Sequence, residues 1–153
     1  MEISYIFIPA FYIGVMIAGT WFSQKGMAWY RTLSVPHFTP APWVFSVVWS
    51  ILYILMIVSA LLWWHSEQSW CQTTTIGALY LINAFINVQW SYLFFYRHLI
   101  GWSVINTIAL EISLWALMYM LWPVNPAAAL VLVPYCTWVL FALLIDVLVW
   151  WRN

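Results

Sequence analysis

The chain has 153 residues, of which 67% are hydrophobic and 5% charged, with a mean hydropathy of +0.94 and a formal net charge of zero. So few polar residues exclude a water-soluble core-and-shell domain and require a membrane protein. Fourteen Trp and an aromatic share of 21% exceed what interfacial belts consume, which leaves rings to line an interior space.

Apolar runs of about 20 residues, the length that crosses roughly 30 Å of hydrocarbon as a helix, fall at 3–22, 43–64, 76–96, 101–122 and 127–150. The first opens with Glu2 and no Lys or Arg, and it runs too long for the apolar part of a signal peptide, so it counts as a real helix. Runs of this length without alternation are not barrel strands. The predicted fold class is an all-α integral membrane protein, a five-transmembrane-helix bundle forming one domain over 1–153. The connectors carry breakers: Pro36, Pro40 and Pro42 in the long segment 23–42, a polar stretch at 65–75, a short link at 97–101, and Pro123 and Pro126 before the last span.

Lys25, Arg31, Arg97 and Arg152 fall in the first connector, the third connector and the C-terminal tail, which five spans place on one side; the opposite side holds no Lys or Arg. The positive-inside rule makes the charged side cytoplasmic, with the N-terminus outside and the C-terminus inside. Cys71 and Cys136 sit at different depths and are not expected to pair. His37, His65 and His98 all lie in connectors, so no pair inside the bundle can ligate a haem or hold a metal with carboxylates. No metal site, no catalytic residue and no nucleic-acid partner is expected.

Polar groups inside a membrane are costly and mark functional sites by default. Here they are Asn83, Asn87 and Gln89 in the third span, Asn106 and Glu111 in the fourth, and Asp146 in the fifth. Helical spacing sorts them onto faces: Asn83, Asn87, Trp90 and Phe94 on the third span, Trp49, Tyr53 and Met56 on the second, and Tyr135, Trp138, Ala142 and Asp146 on the fifth. At about 1.5 Å per residue from the cytoplasmic ends, Trp49 and Asp146 lie within roughly 10 Å of that surface, and Tyr53 and Asn87 a few Å deeper. Three such faces turned inward make an aromatic cavity in the cytoplasmic half, with segment 23–42, carrying Trp29, Tyr30, Arg31 and Phe38, as a lid. A mostly apolar space with a few placed polar groups suits a flat hydrophobic ligand.

Each polar residue also has a plain structural reading. Asn83 and Asn87 could be interhelical glue, Asp146 could be hydrated or paired with Arg152, and Glu111, spaced by fours from Ser103 and Thr107, could be an acid bonded within the bundle. Ala10, Gly14 and Ala18 recur every four residues on the first span and would let another helix approach, within the bundle or in a dimer.

The chain resembles the TspO family of tryptophan-rich sensory proteins and translocator or peripheral benzodiazepine-receptor proteins. Trp29, Tyr30, Leu33, Pro36, Pro40, Trp43, Val44, Phe45, Val48, Trp49, Leu52, Tyr53 and Met56 follow the family's first motif. Asn87, Trp90, Ser91, Phe94 and Phe95 match a second, and Pro134, Tyr135, Trp138, Phe141 and Ala142 a third. The chain departs from the pattern in its spread Pro40-Ala41-Pro42, in Val47 where Pro is common, in Asn83 where Gln is common and in Asp146 where Asn is common. The resemblance implies a multi-pass protein, often a homodimer, of a bacterial cytoplasmic membrane. It would act as a receptor or sensor for porphyrins (protoporphyrin IX or haem), other tetrapyrroles and benzodiazepine-receptor ligands, with no obligatory cofactor. By position, Trp49 and Asn87 would contact a ligand carbonyl, and Tyr53, Trp90, Tyr135, Trp138 and Asp146 would form the wall. Light- and oxygen-dependent porphyrin degradation, or transport by a dimer, are the alternatives it implies.

Overall fold

The computed structural model describes residues 2–153, and among them helices are the only regular secondary structure. Helix α1 spans Ser4–Tyr30, α2 Pro42–Trp64, α3 Trp70–Ser91 with a π-helical turn Tyr92–Tyr96, α4 Ile100–Leu121, α5 Pro126–Leu130 and α6 Val133–Arg152. Five segments are long and apolar enough to cross a membrane, with α3 and its π turn counting as one and α5 with α6 as another. Large side chains such as Trp43, Phe85, Ile112 and Trp151 stand exposed on the outside, where water would penalise them and lipid does not. The protein is a multi-pass integral membrane protein built as a five-span helical bundle.

Helix α1 runs to Tyr30 rather than stopping near residue 22, because Ser23–Tyr30 contains neither Pro nor a capping break. The connector to α2 is therefore 31–41, and Trp29 and Tyr30 belong to the last turn of α1. Pro42 occupies the first turn of α2, where its missing N–H costs nothing. At the other end of α2, Ser69 and Gln72 form a reciprocal capping box that starts α3 six residues before the expected 76. Cys71 consequently lies in the first turn of α3, and both cysteines are free thiols.

The last span differs from the single helix expected over 127–150. Asn125 caps Ala128 N–H at 3.2 Å to start α5, and the helix breaks at Val131 and Leu132 before α6. Pro134 is the cause in the sequence: it cannot donate to the Leu130 carbonyl, the last of α5, and its ring crowds that oxygen.

The two halves of the bundle are built differently. In the half holding α5, polar side chains tie the helices together. Ser59 Oγ meets the Tyr80 hydroxyl and donates to the Ala128 carbonyl, both at 2.7 Å, and Asn125 Nδ2 donates to Ser66 Oγ at 2.9 Å. A core including Leu114, Leu117, Leu121 and Leu132 fills the rest. Helix α2 packs on α1 and α5 but barely meets α6, which leaves an interior space between α2 and α6 in the other half. There α1 approaches the π turn so closely that a Cβ on Gly26 would lie 2.0 Å from the Phe95 carbonyl oxygen. The end of α6 clasps the first connector: Ser34 N–H donates to Asn153 Oδ1 at 2.9 Å, Asn153 Nδ2 to the Ser34 carbonyl at 3.2 Å, and Arg152 to the Val35 carbonyl at 3.2 Å.

Candidate functional site

The open half contains a cavity of about 350 Å³ bounded by α1, α2, α3 with its π turn, α4 and α6. Each wall follows from helical periodicity. Helix α2 contributes Phe45, Trp49 and Tyr53, and α3 contributes Asn87, Trp90, Ser91 and Phe94, residues three or four apart on one face. Helix α6 contributes Val139, Ala142, Ile145, Asp146 and Val149 in the same way. The π turn holds an extra residue in its circuit, with Arg97 N–H donating to the Tyr92 carbonyl at 2.9 Å, and both Phe94 and Phe95 line the cavity from it. The cavity reaches the surface between α1 and α2, where Thr20, Gln24, Ser46 and Ser50 are exposed.

Two hydrogen-bond networks give the apolar walls their polarity. Tyr53 OH donates to Asn87 Oδ1 at 2.6 Å, and Asn87 Nδ2 is 2.7 Å from Tyr135 OH, to which it donates. The second N–H of that amide is left for another acceptor. Trp49 packs beside this chain, its ring 6.2 Å from that of Tyr53 and 5.8 Å from that of Tyr135. In the second network Asp146 Oδ2 accepts from Trp90 Nε1 at 2.8 Å and from Thr107 Oγ1 at 2.7 Å. Trp90 is thereby held flat against Phe94, with centroids 5.2 Å apart and an interplanar angle of 10°.

Of the residues singled out from sequence, Trp49, Tyr53, Asn87, Trp90, Ala142, Asp146 and Tyr30 line the cavity. Tyr135 stands behind it, buried, in contact with the lining residues Asn87 and Trp49. Trp138 is also a layer back, packed edge-on against Phe45 at 5.6 Å and beside Phe141 at 5.4 Å. Asn83 is one turn farther into the filled half, where its amide donates to Ser113 Oγ at 2.8 Å; this is the interhelical role, and the residue does not line the cavity. Trp29 stacks on His98 at 4.1 Å, Arg31 is exposed, and Phe38 lies 6.5 Å from Phe141; none of these three lines the cavity. Asp146 pairs with Trp90 and Thr107 rather than with Arg152. Glu111 Oε1 accepts from Trp115 Nε1 at 2.7 Å, away from the cavity.

The sequence reading overlooked the α1 wall. Met16, Gly19, Thr20, Ser23 and Met27 repeat at helical spacing along the cavity, and a Cβ on Gly19 would lie 3.5 Å from Ser91 Oγ. The signal available was a run of small and polar residues inside an otherwise apolar span. Thr107 was likewise read only in relation to Glu111. Among the described residues no three His, Cys, Asp or Glu side chains gather closely enough to hold a metal ion.

The profile of the TspO/MBR family matches residues 6–152. Protein CrtK of Rhodobacter capsulatus is 32% identical over 131 residues, covering 82% of this chain and 79% of the relative. The translocator protein of Homo sapiens is 26% identical, with 92% of this chain and 84% of that protein covered. The tryptophan-rich protein TspO of Archaeoglobus fulgidus is 28% identical, at 92% and 91% coverage. With the profile spanning nearly every residue and a relative above 30% identity, this chain belongs to the TspO/MBR family.

Proposed function

We propose that this protein is a membrane receptor that binds porphyrins and related flat hydrophobic ligands in the cavity. The observation that carries the reading is the lining: Tyr30, Phe45, Trp49, Tyr53, Trp90, Phe94 and Phe95 surround a space of about 350 Å³, a size and character suited to small-molecule binding. Planar ligands stack on such rings, and the spare N–H of Asn87 supplies a directional contact for a ligand carbonyl. A macrocycle too large for the closed space would project through the gap between α1 and α2. In this reading the side bearing Lys25, Arg31, Arg97 and Arg152 faces the cytoplasm of a bacterial cell, and the cavity lies in that half of the membrane. A homodimer fits the exposed Ala10 and Gly14 on α1, since a Cβ at Gly14 meets nothing within 4 Å.

The test is protoporphyrin titration of purified protein, read by Trp fluorescence quenching. Asn87→Ala and Trp49→Phe are expected to weaken binding at least about fivefold, the equivalent of one lost hydrogen bond to a buried partner. If both variants bind as tightly as the wild type, the ligand does not occupy this cavity.

A further inference from the structure

We propose that Asp146 sets the specificity of the cavity, selecting flat ligands that present a cationic nitrogen or an N–H donor. The inference rests on the cavity being a ligand site and adds which chemistry it accepts.

Asp146 is only 4% exposed, yet it is one of the residues lining the cavity. Both of its donors, Trp90 Nε1 and Thr107 Oγ1, converge on Oδ2, and no described residue donates to Oδ1. Two bonds to one oxygen fix the carboxyl group and leave the other oxygen for an occupant. Among the described residues no Lys, Arg or His lines the cavity. The nearby cations are engaged elsewhere: Arg152 on the Val35 carbonyl, Lys25 over the Trp21 ring at 5.4 Å and Arg97 over the Tyr92 ring at 6.0 Å, while Arg31 is exposed. The carboxylate thus has two neutral donors and no counter-ion.

An uncompensated carboxylate within a membrane-spanning segment is costly, and an occupant carrying a cation or N–H group relieves that cost. An occupant turning its own carboxylate toward Asp146 meets repulsion that the low dielectric strengthens. A ligand with one anionic edge would therefore sit with that edge toward the mouth and its nitrogen toward Asp146. An amide at this position presents both a donor and an acceptor and would not discriminate in this way.

The experiment uses the full chain in detergent with three probes sharing one ring system: aminoacridine (cationic at neutral pH), acridine (neutral) and acridine carboxylate (anionic). Binding is read by Trp quenching against empty micelles. The wild type should prefer aminoacridine to the carboxylate by roughly tenfold or more, as a charge-assisted hydrogen bond implies. Asp146→Asn keeps the shape and can still accept from Trp90 and Thr107; it should bind acridine as the wild type does and lose the preference. Asp146→Glu should retain it. Ala142→Phe, which fills the space near Asp146, should abolish binding of all three. The absence of a preference in the wild type, or a preference unchanged in Asp146→Asn, overturns the proposal and leaves the cavity reading standing; the wild-type ratio decides even if a variant fails to fold. Binding that survives Ala142→Phe, or no binding by the wild type, overturns both.

Discussion

Two glycines on the same helix are expected to respond in opposite directions to the same substitution. A Cβ added to Gly26 would lie 2.0 Å from the Phe95 carbonyl oxygen, 2.5 Å from its carbon and 2.7 Å from its Cα. These are backbone atoms of the π turn, which no rotamer change can move aside. About 1 Å of extra separation between α1 and that turn is needed to restore even a tight contact. Such a shift loosens the rings packed across the seam, Phe22 on Tyr92 at 5.3 Å and Trp29 on Phe94 at 5.5 Å. Aromatic pairs contribute about 0.5–1.5 kcal/mol each and overpacking costs about 1–3 kcal/mol, against a helix-propensity gain near 1 kcal/mol for Gly to Ala. The net expectation for Gly26→Ala is a loss of about 2–3 kcal/mol, or roughly 5–10 °C in Tm. At Gly14 a Cβ meets nothing within 4 Å, so Gly14→Ala should be neutral or slightly stabilising. Thermal unfolding of both variants in one detergent, followed by circular dichroism, provides the comparison. Equal Tm values for Gly26→Ala and Gly14→Ala would refute the close approach of α1 to the π turn.

Three further expectations follow from other parts of the molecule. At the end opposite the cavity, His65 places Nδ1 2.8 Å from the Leu61 carbonyl and Nε2 2.6 Å from Glu2 Oε2, and the backbone bond first, then Glu2, raise its pKa above the usual imidazole value. The link between the start of α1 and the end of α2 should be fully present below about pH 6.5 and fade as pH rises through the raised value; amide protection at residues 5–8, after correction for the intrinsic rise of exchange with pH, should fall over that range in wild type but not in Glu2→Gln, and identical corrected profiles would refute it. A cysteine placed at Thr73 should react with impermeant reagents only from outside the cell, and labelling only from the cytoplasm would reverse the orientation. Under light and oxygen, a receptor that only binds should bleach protoporphyrin no faster than empty micelles do; faster loss that slows in Trp90→Phe would establish photochemical degradation instead.

The sequence alone determined the spans and much of the cavity wall. Hydrocarbon thickness fixes the length of an apolar helix, and the period of 3.6 residues puts Trp49 with Tyr53, Asn87 with Trp90, and Ala142 with Asp146 on common faces. Family motifs carried the same positions. Periodicity says which residues share a face, but not which helix covers that face or how closely. On α1 the inner face is marked only by small and weakly polar residues, Gly19, Thr20 and Ser23, which also serve plain helix contact in a membrane, so residue type by itself does not assign them to a cavity wall. Asn83 and Asn87 sit one turn apart on a single face, yet one lies in the filled half against Ser113 and the other borders the cavity, a difference that depends on what the neighbouring helices place opposite each turn. Trp138 and Tyr135 lie one layer behind the wall, a placement that depends on how α6 sits against its neighbours; the clasp of Asn153 on Ser34 is one such contact, between residues more than a hundred positions apart, which no local pattern encodes.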